Sequence, residues 1–351
     1  MAITQYESKR INPERRAVME TANAICEQYA SQGLVLTLRQ LYYQFVARGL
    51  VSNEQAEYDR LGDICKDARM NGIMDWDFLI DRTRNLMSWK TYKGPEAALK
   101  ELAEKYHRDM WAPQFQRIEV WVEKDAAIGV IEGVCSANSV PYFSCRGYTS
   151  VSEIHSAAQR LRWHIEKGNQ VTILHIGDHD PSGLDMTRDI EDRLRMFMSR
   201  DWAGLHLGAG SWTRGQIRES MREHMAGKRR ERYGDAGHHS VYKDVVNPFV
   251  VKRIALNIDQ IEQYAPPPNP VKMTDARWRS YAEQTGLDES WELDALEPSV
   301  VQDLITTEVD LLRDEAKWAD EEWTLATEKK TLQGVANYWE EVTAMVAGKG
   351  N

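Results

Sequence analysis

Along the first eighty residues, apolar positions recur every three to four residues, the spacing of amphipathic helices. The stretch 13–31 (PERRAVMETANAICEQYAS) opens on Pro13, whose fixed φ suits a first helical turn, and Gly33 stops it. Thr37 is placed to cap a second helix in which Leu38, Leu41, Tyr42, Phe45 and Val46 form one stripe, ended by Gly49. A third helix runs from Asp59 to Met70. Asn71-Gly72 then turns the chain into Ile73–Trp76 and a polar strip, Ile80–Arg84. Short helices with little strand predict a helix-turn-helix or winged-helix module. Lys93-Gly94-Pro95 and an amphipathic helix to about Met110 lead out of it.

The period changes at Arg117. Short apolar runs at 118–122, 141–145 and 171–176 alternate with helical patterns at 126–138, 151–167 and from about Leu184. Such alternation predicts a parallel sheet with right-handed crossovers, whose ligands gather at the carboxyl ends of the strands. Residues 200–247 break the rhythm with a Gly-rich and then basic stretch. Order resumes near Lys252, Ala265–Pro270 (APPPNP) reads as a stiff linker, and acidic helices run from about Pro298 to Val346. The expectation is an α/β chain: a mainly helical, winged-helix-like domain (1–110), a parallel-sheet core (115–200), a basic insertion (201–247), and the remainder of the sheet-side domain with an acidic helical tail (248–351). No internal repeat is evident.

Composition narrows this picture. With 42% hydrophobic and 28% charged residues in 351, the chain has material for two cores. No apolar run approaches the roughly 20 residues of a membrane span and no signal-like start is present, so a cytoplasmic protein is expected. Cys26, Cys65, Cys135 and Cys145 contain no C-x-x-C pair and read as buried thiols. The net charge of −10 argues against a nucleic-acid partner until its distribution is considered. Residues 283–350 hold 17 acids against 5 Lys and Arg, a net of −12, which leaves +2 for the rest.

Three acids fall where the sheet argument wants them: Glu123 after the first strand, and Asp178 and Asp180 after the third. Asp178-His-Asp-Pro-Ser-Gly183 carries two acids two residues apart on a turn, so both can point one way, and Lys124 lies beside Glu123. Converging carboxylates suit Mg²⁺, a hard cation; solvated capping acids are the alternative. No Cys/His quartet fits zinc, and His175 and His179 read as strand and loop residues. On the second helix Tyr43 is rotated about 100° from Tyr42, off the apolar stripe, and Arg39 lies four residues before it on the same face. That suits either a nucleophile with an electrostatic helper or an aromatic pair used in packing. Residues 211–232 carry a net +4, and Arg214, Arg218 and Arg222 repeat every four residues, forming a stripe for DNA phosphates or a solvated loop. Arg82 and Arg84 either line a DNA groove or pair with Asp77 and Asp81. Trp318, Trp323 and Trp339 mark the acidic tail as a packing or partner surface.

The strand-terminal Glu followed by D-x-D over 118–190 resembles a Toprim domain. Gly177-Asp-His-Asp-Pro-Ser-Gly183 is similar to the G-D-x-D-P-x-G of the topoisomerase VI A subunit and its meiotic double-strand-break relatives, and Glu292-Leu-Asp-Ala-Leu296 resembles a short element after that family's core. Arg39–Tyr43 matches the family's R-x-x-Y-Y in a winged-helix (catabolite-activator-like) domain placed before the Toprim domain. The resemblance spans roughly residues 34–190; 200–247 has no counterpart in it, and the layout is also that of bacterial and phage Toprim proteins. It implies DNA cleavage by Tyr43 with a metal held by Glu123, Asp178 and Asp180. It also implies a homodimer, tyrosine and metal contributed by different protomers, and an ATPase on a separate subunit. The competing expectations are a Toprim nuclease that activates water and a non-catalytic DNA-binding or partner-recruiting protein.

Overall fold

The computed structural model describes residues 5–80, 90–233, 247–270 and 277–348. Arg82 and Arg84 lie outside the described residues. The chain divides into two compact units: residues 1–84 with 118–309, and residues 85–117 with 310–351. The N-terminal helices and the sheet thus fall within one unit.

The N-terminal part of that unit is α1 (Pro13–Ala30), α2 (Leu38–Ala47) and α3 (Gln55–Met70). Asn12 caps α1 by accepting from Arg15 N at 2.7 Å. At α2, Thr37 and Gln40 form a capping box, an arrangement that stabilises a helix start by about 1 kcal/mol. Met19, Ile25, Leu41, Phe45, Leu61 and Ile64 make a common core. Burial on α2 is wider than one stripe: Tyr42, Tyr43 and Gln44 are buried with Leu41 and Phe45. This ten-residue helix meets α1, α3 and a turn at Leu293–Ala295, so little of its circumference stays free. Between residues 5 and 80 the only strand pairing among the described residues is a single bridge, Leu36 with Leu79.

The sheet contains β1 (Gln116–Val122), β2 (Tyr142–Ser144), β3 (Gln170–Ile176) and β4 (Phe249–Ala255), parallel and in the order β2-β1-β3-β4. Helices α5 (Ile128–Ala137), α6 (Val151–Glu166), α7 (Pro181–Trp202) and α8 (Arg214–Tyr233) lie between the strands in sequence. Successive connections leave β1 toward opposite edges, so the carboxyl ends of β1 and β3 flank the switch point of the sheet. In parallel sheets that crevice is where ligands bind.

Three expectations change. The described part of the basic 201–247 stretch is mostly helical, and Ile217, Met221 and Met225 of α8 join the core formed by α6, α7 and the sheet. One apolar residue every four was enough to anchor it beneath the basic stripe. The Pro-rich stretch ends in β5 (Asn269–Pro270), paired antiparallel with β6 (Glu289–Ser290). The helix expected from Leu184 starts at Pro181, because Asp180 caps it. Between these elements lie α9 (Ile258–Tyr264) and α10 (Trp278–Thr285), and α11 (Pro298–Leu312) follows.

The second unit pairs α4 (Pro95–Lys105) with α12 (Glu315–Asn337), followed by α13 (Trp339–Gly348). Arg108 bridges Glu321 and Glu328 at 2.7 Å each, and Trp111 meets Trp318 edge to face at 5.7 Å. Trp318 is buried, whereas Trp323 is 72% exposed. Among the described residues no helix is long and apolar enough to cross a membrane.

Candidate functional site

Glu123 and Asp178 are buried where β1 and β3 end. Glu123 N donates to Ile176 O at 2.9 Å, which joins the two strand ends, and Glu123 Oε2 accepts from Asp178 N at 2.9 Å. The glycines flanking the D-x-D make this approach possible. A β-carbon on Gly177 would lie 2.8 Å from Glu123 Oε2, and one on Gly183 only 2.2 Å from Asp178 O. Arg253 on β4 gathers the turn from behind, donating to Gly177 O (2.9 Å), Gly183 O (3.1 Å) and Thr187 Oγ1 (3.0 Å).

A second segment closes over the acids. His179 and Trp291 exchange backbone hydrogen bonds at 2.8 and 3.0 Å, and Leu293 N donates to Asp178 Oδ1 at 2.9 Å. This docking carries Glu292 and Asp294 into the site. The Lys124 ammonium pairs with Asp178 Oδ2 and lies 3.4 Å from Glu292 Oε2, while the Arg39 guanidinium pairs with Glu292 and stands 3.6 Å from Asp294 Oδ2. Asp180, half-buried at the mouth, accepts from Gly183 N at 2.6 Å and Ser182 Oγ at 3.1 Å.

These placements set the protonation equilibria. Burial raises the Glu123 carboxyl above its ordinary value, and the charge of Asp178 adds to it. Burial likewise raises Asp178, against the pull of Lys124. Asp294 is pushed up to about 6 by burial, and its Oδ2 accepts no hydrogen bond. Burial also works to raise Glu292, but Lys124 and Arg39 prevail and hold it below the carboxylate range.

Tyr43 is buried on α2, with the Arg39 guanidinium 5.9 Å from its ring centre. Its hydroxyl accepts from Asn269 Nδ2 at 3.4 Å, and the charges of Glu292 and Arg39 act on it with opposite signs. Burial pushes the phenol up to about 12. Tyr42 instead turns its hydroxyl toward Ser52 O, Asn53 Oδ1 and Glu54 O. Arg39, Tyr43, Asp180 and Glu292 line one cleft of about 820 Å³, joined by Tyr58, Asn269 and others. One chain thus brings tyrosine and acid to a common space, where the resemblance implied two protomers.

Among the described residues, no group of three or more His, Cys, Asp or Glu side chains stands as a metal-holding cluster. The hydrogen bonds explain this: both Asp178 oxygens, one of Asp180 and one of Glu123 already have partners. In chemistry the donor set still suits a hard divalent cation. Five carboxylates (Glu123, Asp178, Asp180, Glu292, Asp294) face three cations (Lys124, Arg39, Arg253), a surplus of two negative charges, and Asp294 Oδ2 is an orphaned buried oxygen. Rotation at Asp178 and Asp180 would free their oxygens for it. The histidines lie elsewhere: His175 Nδ1 bonds Thr187 Oγ1 (2.8 Å) and His179 Nδ1 bonds the Tyr281 hydroxyl (3.0 Å).

Arg214, Arg218 and Arg222 are exposed on α8 and do not line this cleft. Arg214 and Arg218 border a separate 430 Å³ pocket with Arg195 and Phe249, and Arg222 pairs with Glu219 at 2.9 Å. Sequence reasoning does not assign Glu292, Asp294, Arg253 or Asn269 to the site. The acids at 292 and 294 stand out beside Trp291, but nothing local indicates where that segment docks. Comparison with family models, curated proteins and solved structures returns no match for this chain.

Proposed function

We propose that this chain is a Mg²⁺-dependent DNA-cleaving enzyme in which Tyr43 forms a transient phosphotyrosyl bond. The observation that supports this most is the single cleft shared by Tyr43, Arg39, Asp180 and Glu292 at the switch point of a parallel sheet. On this reading the N-terminal helices serve as a winged-helix module and the sheet is of the Toprim type, as in the topoisomerase VI A subunit.

Glu123, Asp178 and Asp180 would hold the metal, which when bound supplies neutralising charge for the phosphate oxygens. Arg39 orients the phosphodiester beside the phenol. The Tyr43 oxygen attacks phosphorus, a Tyr–O–P bond forms and the bond to one sugar oxygen breaks. The phenol proton leaves, and the departing sugar oxygen takes one up. Asn269, already donating to the phenol oxygen, stabilises charge developing there. The reverse reaction reseals the strand. One chain cuts one strand, and a double-strand break requires a two-fold pair of chains.

A second reading is hydrolysis, with Tyr43 only packing. It is favoured by the burial of Tyr43 and a phenol pushed up to about 12, which is protonated at neutral pH. The two separate on supercoiled plasmid with Mg²⁺, stopped with detergent and run with and without protease. The covalent reading expects protein-linked ends that disappear in Tyr43→Phe. Free ends that survive Tyr43→Phe and vanish on chelation would establish hydrolysis instead.

A further inference from the structure

We propose that Glu292 is a built-in occupant of the phosphate seat: its carboxylate sits on the cations that would bind a DNA phosphate oxygen, which must displace it. The inference rests on the DNA-cleavage reading and adds a brake to it. Two cations converge on this one carboxylate. Arg39 grips it through its terminal nitrogen, with Nε 3.1 Å away, and Lys124 Nζ lies at 3.4 Å. A guanidinium and an ammonium on one oxyanion are the recognition set for a phosphate as much as for a carboxylate.

The seat is reachable. The side chains of Arg39, Lys124 and Glu292 are 44%, 33% and 22% exposed, and Arg39 and Glu292 border the cleft. The backbone beside Glu292 is pinned on both sides, by Trp291 to His179 and by Leu293 to Asp178. Release therefore needs only side-chain rotation. While seated, Glu292 acts in two ways: its charge offsets the Arg39 guanidinium needed for the phosphate, and it adds negative charge beside the phenol that must lose its proton.

The test compares wild type, Glu292→Gln, Glu292→Ala and the exposed control Glu289→Gln, by fluorescence anisotropy with a labelled 20-bp duplex at several salt concentrations. Removing the one negative charge of Glu292 releases Arg39 for phosphate while Lys124 keeps its pairing with Asp178, and should tighten binding several-fold at low salt and steepen the log–log salt dependence by about one. Glu289→Gln should match wild type, and covalent ends should form faster in Glu292→Gln. Unchanged or weaker binding in both Glu292 variants overturns the proposal. So does slower adduct formation with a lost limb in the pH–rate profile, which would make Glu292 the proton acceptor. The two levels fail separately: normal covalent cleavage without a gain in binding removes only the brake, whereas tighter binding with no covalent ends in any variant removes only the tyrosine chemistry.

Discussion

The strand-end acids and the face of α8 are both strongly charged, yet they are built in opposite ways. At Glu123, Asp178 and Asp294 the carboxyls are buried close together, and backbone hydrogen bonds fix the first two. On α8, Arg214, Arg218 and Arg222 stand in water above an apolar underside of Ile217, Met221 and Met225. Burying like charges costs folding free energy, whereas exposed charge costs little and is screened within about 10 Å. The first arrangement is suited to close-range chemistry and the second only to long-range attraction.

The sharpest way to break this contrast is Asp178→Asn, which keeps shape and removes one charge. Plasmid cleavage should fall by a factor on the order of a thousand, because charge at the reacting centre acts in a water-poor site. A loss below about tenfold in a gel time course would place the chemistry elsewhere.

The α8 stripe should respond in the opposite sense. Arg214→Ala, Arg218→Ala and Arg222→Ala combined should weaken duplex binding several-fold at low salt and flatten the salt dependence by roughly two to three, about 0.9 for each phosphate no longer neutralised. The single-turnover rate at saturating DNA should hold. Binding and salt slope equal to wild type would leave the stripe as a solvated face.

The smallest effect sharpens the cost of burial. Asp294 has a folded pKa of about 6, above its unfolded value, so the folded state binds more protons between those values. Stability therefore falls as pH rises from about 4 to 6, by roughly 1–3 kcal/mol. Asp294→Asn should raise the melting temperature by a few degrees at pH 7 and by nothing at pH 4. An equal gain at both pH values would mean that the carboxylate carries no buried-charge cost.

Much of the frame is legible in residue order. Periods of 3.6 mark α1 to α3, and apolar runs bounded by turns mark β1 to β3, since each element must bury a face that repeats with its own geometry. The D-x-D turn is legible because Pro181 fixes its own φ and Gly183 leaves room for the backbone to pass close by. The packing of α8 within the 201–247 stretch is not legible in the sequence, since Ile217, Met221 and Met225 are too sparse among Arg and Glu to announce a packed face. Tyr43 leaves the apolar stripe, which predicts the freer hydroxyl of the pair. It is buried nonetheless, its hydroxyl held by Asn269, more than 220 residues away.

What the sequence by itself determined is therefore local: where helices and strands start, the acids at two strand ends, and the spacing of Arg39 and Tyr43 on one helix. Tertiary structure alone decided that Glu292 and Asp294 close over those acids, that Arg253 gathers the turn from a neighbouring strand, and that tyrosine and carboxylates share a cleft. The physical reason is range. Backbone propensity and side-chain period act over a few residues, whereas a buried charge takes whichever partner folding brings within about 3 Å, with no trace of that pairing in the residues beside it.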